Sequence, residues 1–360
     1  EDPAWHCKIE EGAAGLAHSR WSPDGRRILN TNDFQIRMTI WSLAQRNVAY
    51  IKFPKFSEKG CGFSHDGRFM ALAERKECKD FLNVYSTGEW ELVRRFPVAS
   101  RDLVDLEWAP DDRAIIVWDN PVTYAVLVYS PDGRLISQLK AYENALGVKS
   151  VSWAPSAQFL AVGSYDEKVR ILNSLTWRCM EEYAHVSNVT DTSVDLYVET
   201  DSTGASSVAE ATEHTPSLIG HSTYALAAPP LSIPTRRPPP NKPNPKLGVG
   251  LALWSHDSGF LLTRNDNMAG TVWVWDTTRL ALTSVVSHLA PVTAAAWEPS
   301  GPRAALCTGG KTVFLWTPEG CSCVEVADVD LAIHNVVWNP NGNALLLLSK
   351  DRMCVAFLSQ

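Results

Sequence analysis

Arg264, Asn265, Asp266 and Asn267 lie together between two runs of strand-forming residues, Phe260-Leu-Leu-Thr263 and Thr271-Val-Trp-Val-Trp275. A carboxylate beside a guanidinium and two amides can bind a ligand, orient a reacting group, or simply close a turn by accepting backbone N–H bonds. Few other residues are spaced for chemistry. The sequence has no Gly-x-Ser-x-Gly elbow, no Gly-x-x-x-x-Gly-Lys loop and no His-Glu-x-x-His helix, and its nine histidines do not cluster at ligand spacing. Cys321-Ser-Cys323 is the only close cysteine pair, with no second pair or histidine at zinc spacing. These residues assign no catalytic, cofactor or metal site, and the chain reads as non-enzymatic with no small-molecule substrate.

The chemistry of the Arg264–Asn267 stretch depends on what positions it. An aromatic residue followed by a small or polar residue and a turn recurs as Trp21-Ser-Pro-Asp-Gly25, Phe63-Ser-His-Asp-Gly67, Trp108-Ala-Pro-Asp-Asp112, Trp153-Ala-Pro-Ser-Ala157, Trp254-Ser-His-Asp-Ser258, Trp297-Glu-Pro-Ser-Gly301 and Trp338-Asn-Pro-Asn-Gly342. The steps are 42, 45, 45, 101, 43 and 41 residues. A second anchor follows each first one at 19 to 22 residues, as in Ile40-Trp41, Val84-Tyr85, Val274-Trp275 and Leu315-Trp316. A period near 43 with strand, turn, strand between the anchors is the pattern of WD-repeat blades, so the expected fold is an all-β propeller of seven four-stranded blades over residues 1–360. Trp5-His-Cys-Lys-Ile9 is similar to the outer strand at Trp177-Arg-Cys-Met180, which suggests that an N-terminal strand completes the last blade.

The step of 101 residues holds about 57 residues more than one blade needs, placed at about 187–247. Its Pro-rich half, from Leu231 to Pro245, favours extended solvated chain, and its Ser/Thr/Ala/Glu-rich half holds one strand, Val194-Asp-Leu-Tyr-Val198. The expectation is a largely disordered insertion. Pro239-Pro-Asn-Lys-Pro243 reads as linker before it reads as a polyproline ligand.

Arg264 to Asn267 then fall in a b to c hairpin, where Asp266, like Asp33, Asp166 and Asp351, is expected to pin a turn. WD repeats often bury a network of His, Ser or Thr, Trp and Asp. The set at Thr263 and Trp275 lacks its His by spacing, and the set at His288, Thr308 and Trp316 has Gly310 in place of Asp. Arg264, Asn265 and Asn267 are expected to face solvent, as are Arg75, Lys76 and Lys79 in the charged turn Glu74–Asp80. These six residues form a candidate protein-interaction face, with a merely solvated turn the competing reading.

Thirty-three Lys and Arg against forty Asp and Glu give a net charge of −7, which disfavours nucleic acid and anionic lipid as partners. No apolar stretch reaches the roughly 18 residues of a membrane helix. Eight dispersed cysteines fit a reducing, cytoplasmic setting.

Particular segments go beyond the generic repeat. Trp5–Ile9, Ala71-Leu-Ala-Glu-Arg-Lys-Glu-Cys-Lys-Asp80, Ala161-Val-Gly-Ser-Tyr-Asp-Glu-Lys-Val-Arg-Ile-Leu-Asn173, Asn244-Pro-Lys-Leu-Gly248, Thr263-Arg-Asn-Asp-Asn267 and Cys307-Thr-Gly-Gly310 resemble the family of the WD-repeat protein antisense to the p-seventy-three gene, also called WD-repeat protein eight. The resemblance implies a scaffold of the centrosome or spindle pole body in the cytoskeleton. Such a scaffold acts with a coiled-coil partner, and through it a minus-end kinesin, in microtubule anchoring, spindle assembly and cilium formation. Family members carry about two further repeats upstream, so the chain is expected to be a shortened form. Two other functions stay open: a ubiquitin-ligase substrate receptor, suggested by Trp275-Asp-Thr-Thr-Arg279, and a propeller enzyme with a central site.

Overall fold

A computed structural model of the chain describes residues 6–45, 47–201, 222–239, 244–326 and 331–358. Each repeat becomes an antiparallel meander because short runs rich in Val, Ile, Leu and Trp alternate with tight turns. The chain divides into two compact units, 1–148 and 149–360.

Three sheets make up the first unit. Blade 1 comprises His18–Trp21, Arg27–Thr31, Arg37–Ser42 and Val48–Lys52. Blade 2 comprises Cys61–Phe63, Phe69–Lys76, Lys79–Ser86 and Leu92–Pro97, and blade 3 Leu103–Trp108, Ile115–Asp119, Val126–Tyr129 and Leu135–Leu139. The second unit holds blade 4 (Val148–Trp153, Phe159–Ser164, Lys168–Asn173, Cys179–Ala184) and blade 5 (Val249–Trp254, Phe260–Asn265, Thr271–Asp276, Ala281–Ser287). Blade 6 (Ala294–Trp297, Ala304–Cys307, Thr312–Thr317, Gly320–Glu325) and blade 7 (Asn335–Trp338, Ala344–Leu348, Met353–Phe357) follow. In each blade the strands are lettered a to d in chain order.

The a to b turns explain the first sequence anchor. Ser22 Oγ donates to Asp24 Oδ1 and accepts the Arg27 N–H at 2.9 Å, while Asp24 Oδ1 accepts the Arg26 N–H at 3.0 Å. Ser64 with Asp66 and Ser255 with Asp257 repeat the arrangement. In six of the repeats the turn carries one left-handed residue, Gly25 (φ 65°), Gly67 (70°), Gly342 (71°), Asp112 (60°), Ala157 (58°) or Ser258 (62°).

The anchor tryptophans join successive sheets. The indole N–H of Trp108 donates to the Gly62 carbonyl at 3.1 Å, that of Trp254 to Ser152 at 3.0 Å, that of Trp297 to Leu253 at 2.9 Å and that of Trp338 to Ala296 at 3.0 Å. Each bond runs from one a strand to the preceding one, and apolar side chains fill the space beneath. Ala73, Leu82 and Val84 pack with Leu106, Ile115 and Val117 between blades 2 and 3.

Two expectations need correction. The last sheet has three strands among the described residues, and residues 6–11 form none; Trp5 lies outside the described residues. Here the chain goes instead into a 3-10 turn, Gly12–Ala14, with Glu11 bonded to blade 1. The insertion at 187–247 is also not simply disordered where it is described. Asp195–Asp201 lies parallel to the d strand of blade 5, Ser222–Leu226 pairs antiparallel with it, and a six-stranded sheet results. Asn188–Val189 pairs with Leu231–Ser232. Val189, Val194, Leu196, Val198, Leu231 and Ile233 are buried in one core with blade 4 and blade 5 residues, among them Ile171, Trp254 and Trp273. Burial of each aliphatic side chain is worth roughly 1.5–3 kcal/mol, a driving force for ordering that Pro and Ser content conceals. The stretches 202–221 and 240–243, with the Ser/Thr-rich run and most of the polyproline candidate, lie outside the described residues.

A Cβ on Gly25 would meet nothing within 4 Å, so a substitution there reports backbone conformation alone. Gly25→Ala is expected to lower stability by about 1 kcal/mol, and Ala157→Gly to raise it by up to about 1 kcal/mol. Urea midpoints should therefore move in opposite directions; shifts of the same sign would contradict the turn assignment.

Candidate functional site

In blade 5 the b strand, Phe260–Asn265, does not end in a plain hairpin but in one 3-10 turn, Asp266–Met268. Asn265 and Asn267 are 0% and 3% exposed. Their amides donate to one oxygen, Glu167 Oε2, at 2.7 and 3.1 Å. Glu167 belongs to the b to c turn of blade 4, where its φ is 65°. The Arg264 guanidinium meets Asp266 Oδ1 at 3.0 Å and donates to the Val292 carbonyl. The other oxygen of Asp266 takes Lys149 at 2.7 Å, and Lys149 also donates to the Leu247 carbonyl at 2.6 Å. The expectation of a solvent-facing Arg264, Asn265 and Asn267 is therefore wrong. Adjacent blades and the returning insertion enclose these side chains, and their polar groups join blade 4 to blade 5. Asp266 is structural, but as an ion-pair centre for Lys149 and Arg264.

The network beneath has the histidine that spacing does not reveal. Trp275 Nε1 donates to Thr263 Oγ1 at 2.8 Å, and Thr263 Oγ1 lies 2.7 Å from His185 Nε2. His185 Nδ1 lies 3.0 Å from the Glu167 carbonyl, which can only accept, so the proton sits on Nδ1 and Nε2 accepts from Thr263. Tyr183 stacks on Trp275 at 4.3 Å and 5°. Burial pushes the His185 pKa down to about 4, keeping the ring neutral. His185 precedes the insertion, 78 residues from Thr263, far outside the spacing of an ordinary repeat.

Blade 6 differs. His288 donates from Nδ1 to the Gly270 carbonyl at 3.1 Å, and its Nε2 accepts from Tyr224 of the insertion at 2.8 Å. The position corresponding to Thr263 is Leu306, and Trp316 Nε1 is buried without a partner, so Thr308 and Gly310 do not complete the expected set. Glu199 of the insertion accepts the Leu289 N–H and the Ser222 hydroxyl, both at 2.8 Å. Together these bonds fasten the insertion to the loop entering blade 6.

In blade 1 a carboxylate takes the histidine's place. Glu11, its side chain 3% exposed, accepts from Trp41 Nε1 at 2.7 Å, Asn30 Nδ2 at 3.0 Å and Thr39 Oγ1 at 3.1 Å. Burial raises its pKa, but the donors outweigh burial and hold it below the usual value. Asp166 pins the blade 4 turn as expected, accepting from Ser164 Oγ at 2.5 Å and Arg170 Nη2 at 2.6 Å. Asp33 and Asp351 are exposed.

Arg75, Lys76 and Lys79 lie in the first unit. Buried Asp80 gathers Lys55 at 2.9 Å, Ser100 Oγ at 2.9 Å, the Leu103 N–H at 2.7 Å and Arg75 at 3.2 Å; Arg75 also pairs with Asp102 at 2.6 Å. Arg75 thus holds a turn together, while Lys76 and Lys79 are exposed at the hairpin tip, flanking Glu77 (φ 51°) and Cys78 (φ 59°). A cleft of about 710 Å³ in the same unit is lined by residues including Arg101, Asp119, Thr123, Lys140 and Glu143. Both oxygens of Asp119 accept backbone N–H groups, from Arg101 at 3.0 Å and Asp102 at 3.1 Å. The Trp275 to Arg279 segment is a local turn in which Asp276 accepts from Thr278 and Arg279.

Sequence and structure comparisons agree with the WD-repeat fold. Residues 133–173 match the family described as WD domain, G-beta repeat. The mouse WD repeat-containing protein WRAP73 is 44% identical over 365 residues, covering 99% of this chain and 79% of the mouse protein. Protein HIR1 of Cryptococcus neoformans var. neoformans serotype D is 26% identical over 182 residues, 50% of this chain and 17% of its own length. The solved C-terminal WD40 domain of Sif2 superposes with a TM-score of 0.58 at 12% identity, over 98% of this chain and 84% of that one. A likeness at that identity bears on fold alone.

Thr263→Val keeps the side-chain shape but strands the Trp275 donor and the His185 ring, and should cost about 2 kcal/mol in chemical denaturation. A loss below about 0.5 kcal/mol would remove the network as a stabilising element. Because the Glu11 pKa is lowered on folding, its contribution is present above the unfolded pKa and is lost as pH falls through the folded one. Glu11→Gln should therefore be less stable than wild type by about 1–2 kcal/mol at neutral pH, with the gap closing in acid; a gap independent of pH would contradict this.

Proposed function

Because the chain belongs to the WRAP73 family of WD-repeat proteins, we propose that it is a non-enzymatic scaffold of the centrosome or spindle pole. In this reading it acts with a coiled-coil partner, and through that partner with a minus-end kinesin, in anchoring microtubule minus ends, assembling the spindle and forming cilia. The observation that carries the proposal is 44% identity to the mouse protein over 99% of this chain. The charged constellations support a scaffold. Asp80, Asp166, Glu167 and Asp266 all hold turns or join blades.

The geometry narrows the contact residues. Arg264, Asn265 and Asn267 are consumed inside the fold, and Arg75 is pinned by Asp80 and Asp102. Lys76 and Lys79 remain at an exposed tip, and we place the partner contact there. With the full chain as bait in mitotic extract, a centrosomal coiled-coil protein should be recovered and identified by mass spectrometry. Lys76→Glu with Lys79→Glu should remove it without moving the melting temperature. A well-folded bait that recovers no centrosomal protein would contradict the proposal, and undiminished recovery by the double variant would exclude the tip.

A further inference from the structure

The insertion carries a strap of distinctive charge at 233–239. Ile233 is buried and its N–H donates to the Ser187 carbonyl at 2.7 Å; the Arg236 N–H donates to the Asn267 carbonyl, also at 2.7 Å. Between and beyond these ties runs Pro234-Thr-Arg-Arg-Pro-Pro239, extended and mostly exposed. Each proline fixes φ near −65°, so the strap has lost much of its freedom before anything binds. Arg236 and Arg237 are exposed and have no ion-pair partner among the described residues.

The surrounding charges do not neutralise them. Asp266 is shared by Lys149 and Arg264, and Glu167 is engaged by two amides, so the four charged groups at the strap's anchor balance to zero. Residues 231–247 contain Arg236, Arg237, Lys242 and Lys246 and no Asp or Glu. The net charge of −7 spread over the whole chain does not cancel this. At physiological ionic strength charges beyond about 8 Å are largely screened, and the local strap sets the field that a short ligand meets.

We propose that the Arg236–Arg237 strap is a docking element for an acidic peptide segment carrying a run of carboxylates. A guanidinium fork matches a carboxylate with two parallel hydrogen bonds, and the two forks are held on backbone that is already ordered. The proposal deepens the scaffold reading by giving one class of partner, and it is tested without that reading because a synthetic peptide replaces the partner.

Fluorescence anisotropy of a labelled ten-residue glutamate peptide, titrated with the full chain at about 50 mM salt, should show saturable binding that weakens as salt rises. Arg236→Ala with Arg237→Ala should weaken it at least about tenfold at unchanged melting temperature, since among the described residues the tie at Arg236 is its backbone N–H, which the substitution keeps. Absence of binding by the wild type, or equal binding by the double variant, would overturn the proposal. Tighter capture of a polyuridine oligonucleotide than of the peptide would overturn it as well.

Discussion

No sheet in this chain can bury both its faces alone, and hydrogen bonds from four anchor tryptophans, Trp108, Trp254, Trp297 and Trp338, to the preceding a strand fix how those neighbouring sheets meet. A tryptophan is suited to the position because its ring covers apolar surface while its single N–H can reach an acceptor on the neighbouring strand. Backbone carbonyls of the neighbouring a strand supply that acceptor at 2.9 to 3.1 Å. Aliphatic side chains of facing sheets then fill the gap, and the turns are freed to carry charge.

The insertion obeys the same constraint. Its strand Asp195–Asp201 extends the outer edge of blade 5, and Leu196 and Val198 join the core between blades 4 and 5. Two neutral histidines bracket it in sequence. His185 serves blade 5 through Thr263 and Trp275, whereas His288 turns to Tyr224 of the insertion. Where Leu306 replaces the hydroxyl that a buried histidine would otherwise meet, the insertion supplies one from its own chain. The insertion is thus part of the polar framework of two blades.

Much of the fold was legible because turn chemistry is local. An aromatic residue followed by a short polar turn marks the end of each a strand, and all seven a strands end where that pattern places them. Distance hid the rest. His185 stands on the far side of the insertion from Thr263, and a parallel pairing between 195–201 and 281–287 leaves no short-range signal. Arg264, Asn265 and Asn267 looked solvent-facing because a turn position usually is; the acceptor Glu167 lies about 100 residues upstream, at a left-handed position that no glycine announces. Arg75 is exposed as expected, but its pairing with Asp102 of the next blade left no local signal.

The insertion is built into the sheet of blade 5. Amide hydrogen exchange of the intact chain, read peptide by peptide, tests it most directly. Protection of 195–201 comparable with that of the d strand 281–287 is the predicted result, because the two share ladder hydrogen bonds. Exchange across 195–201 and 222–226 as fast as in an unstructured peptide would contradict the account and return the insertion to the status of a loop.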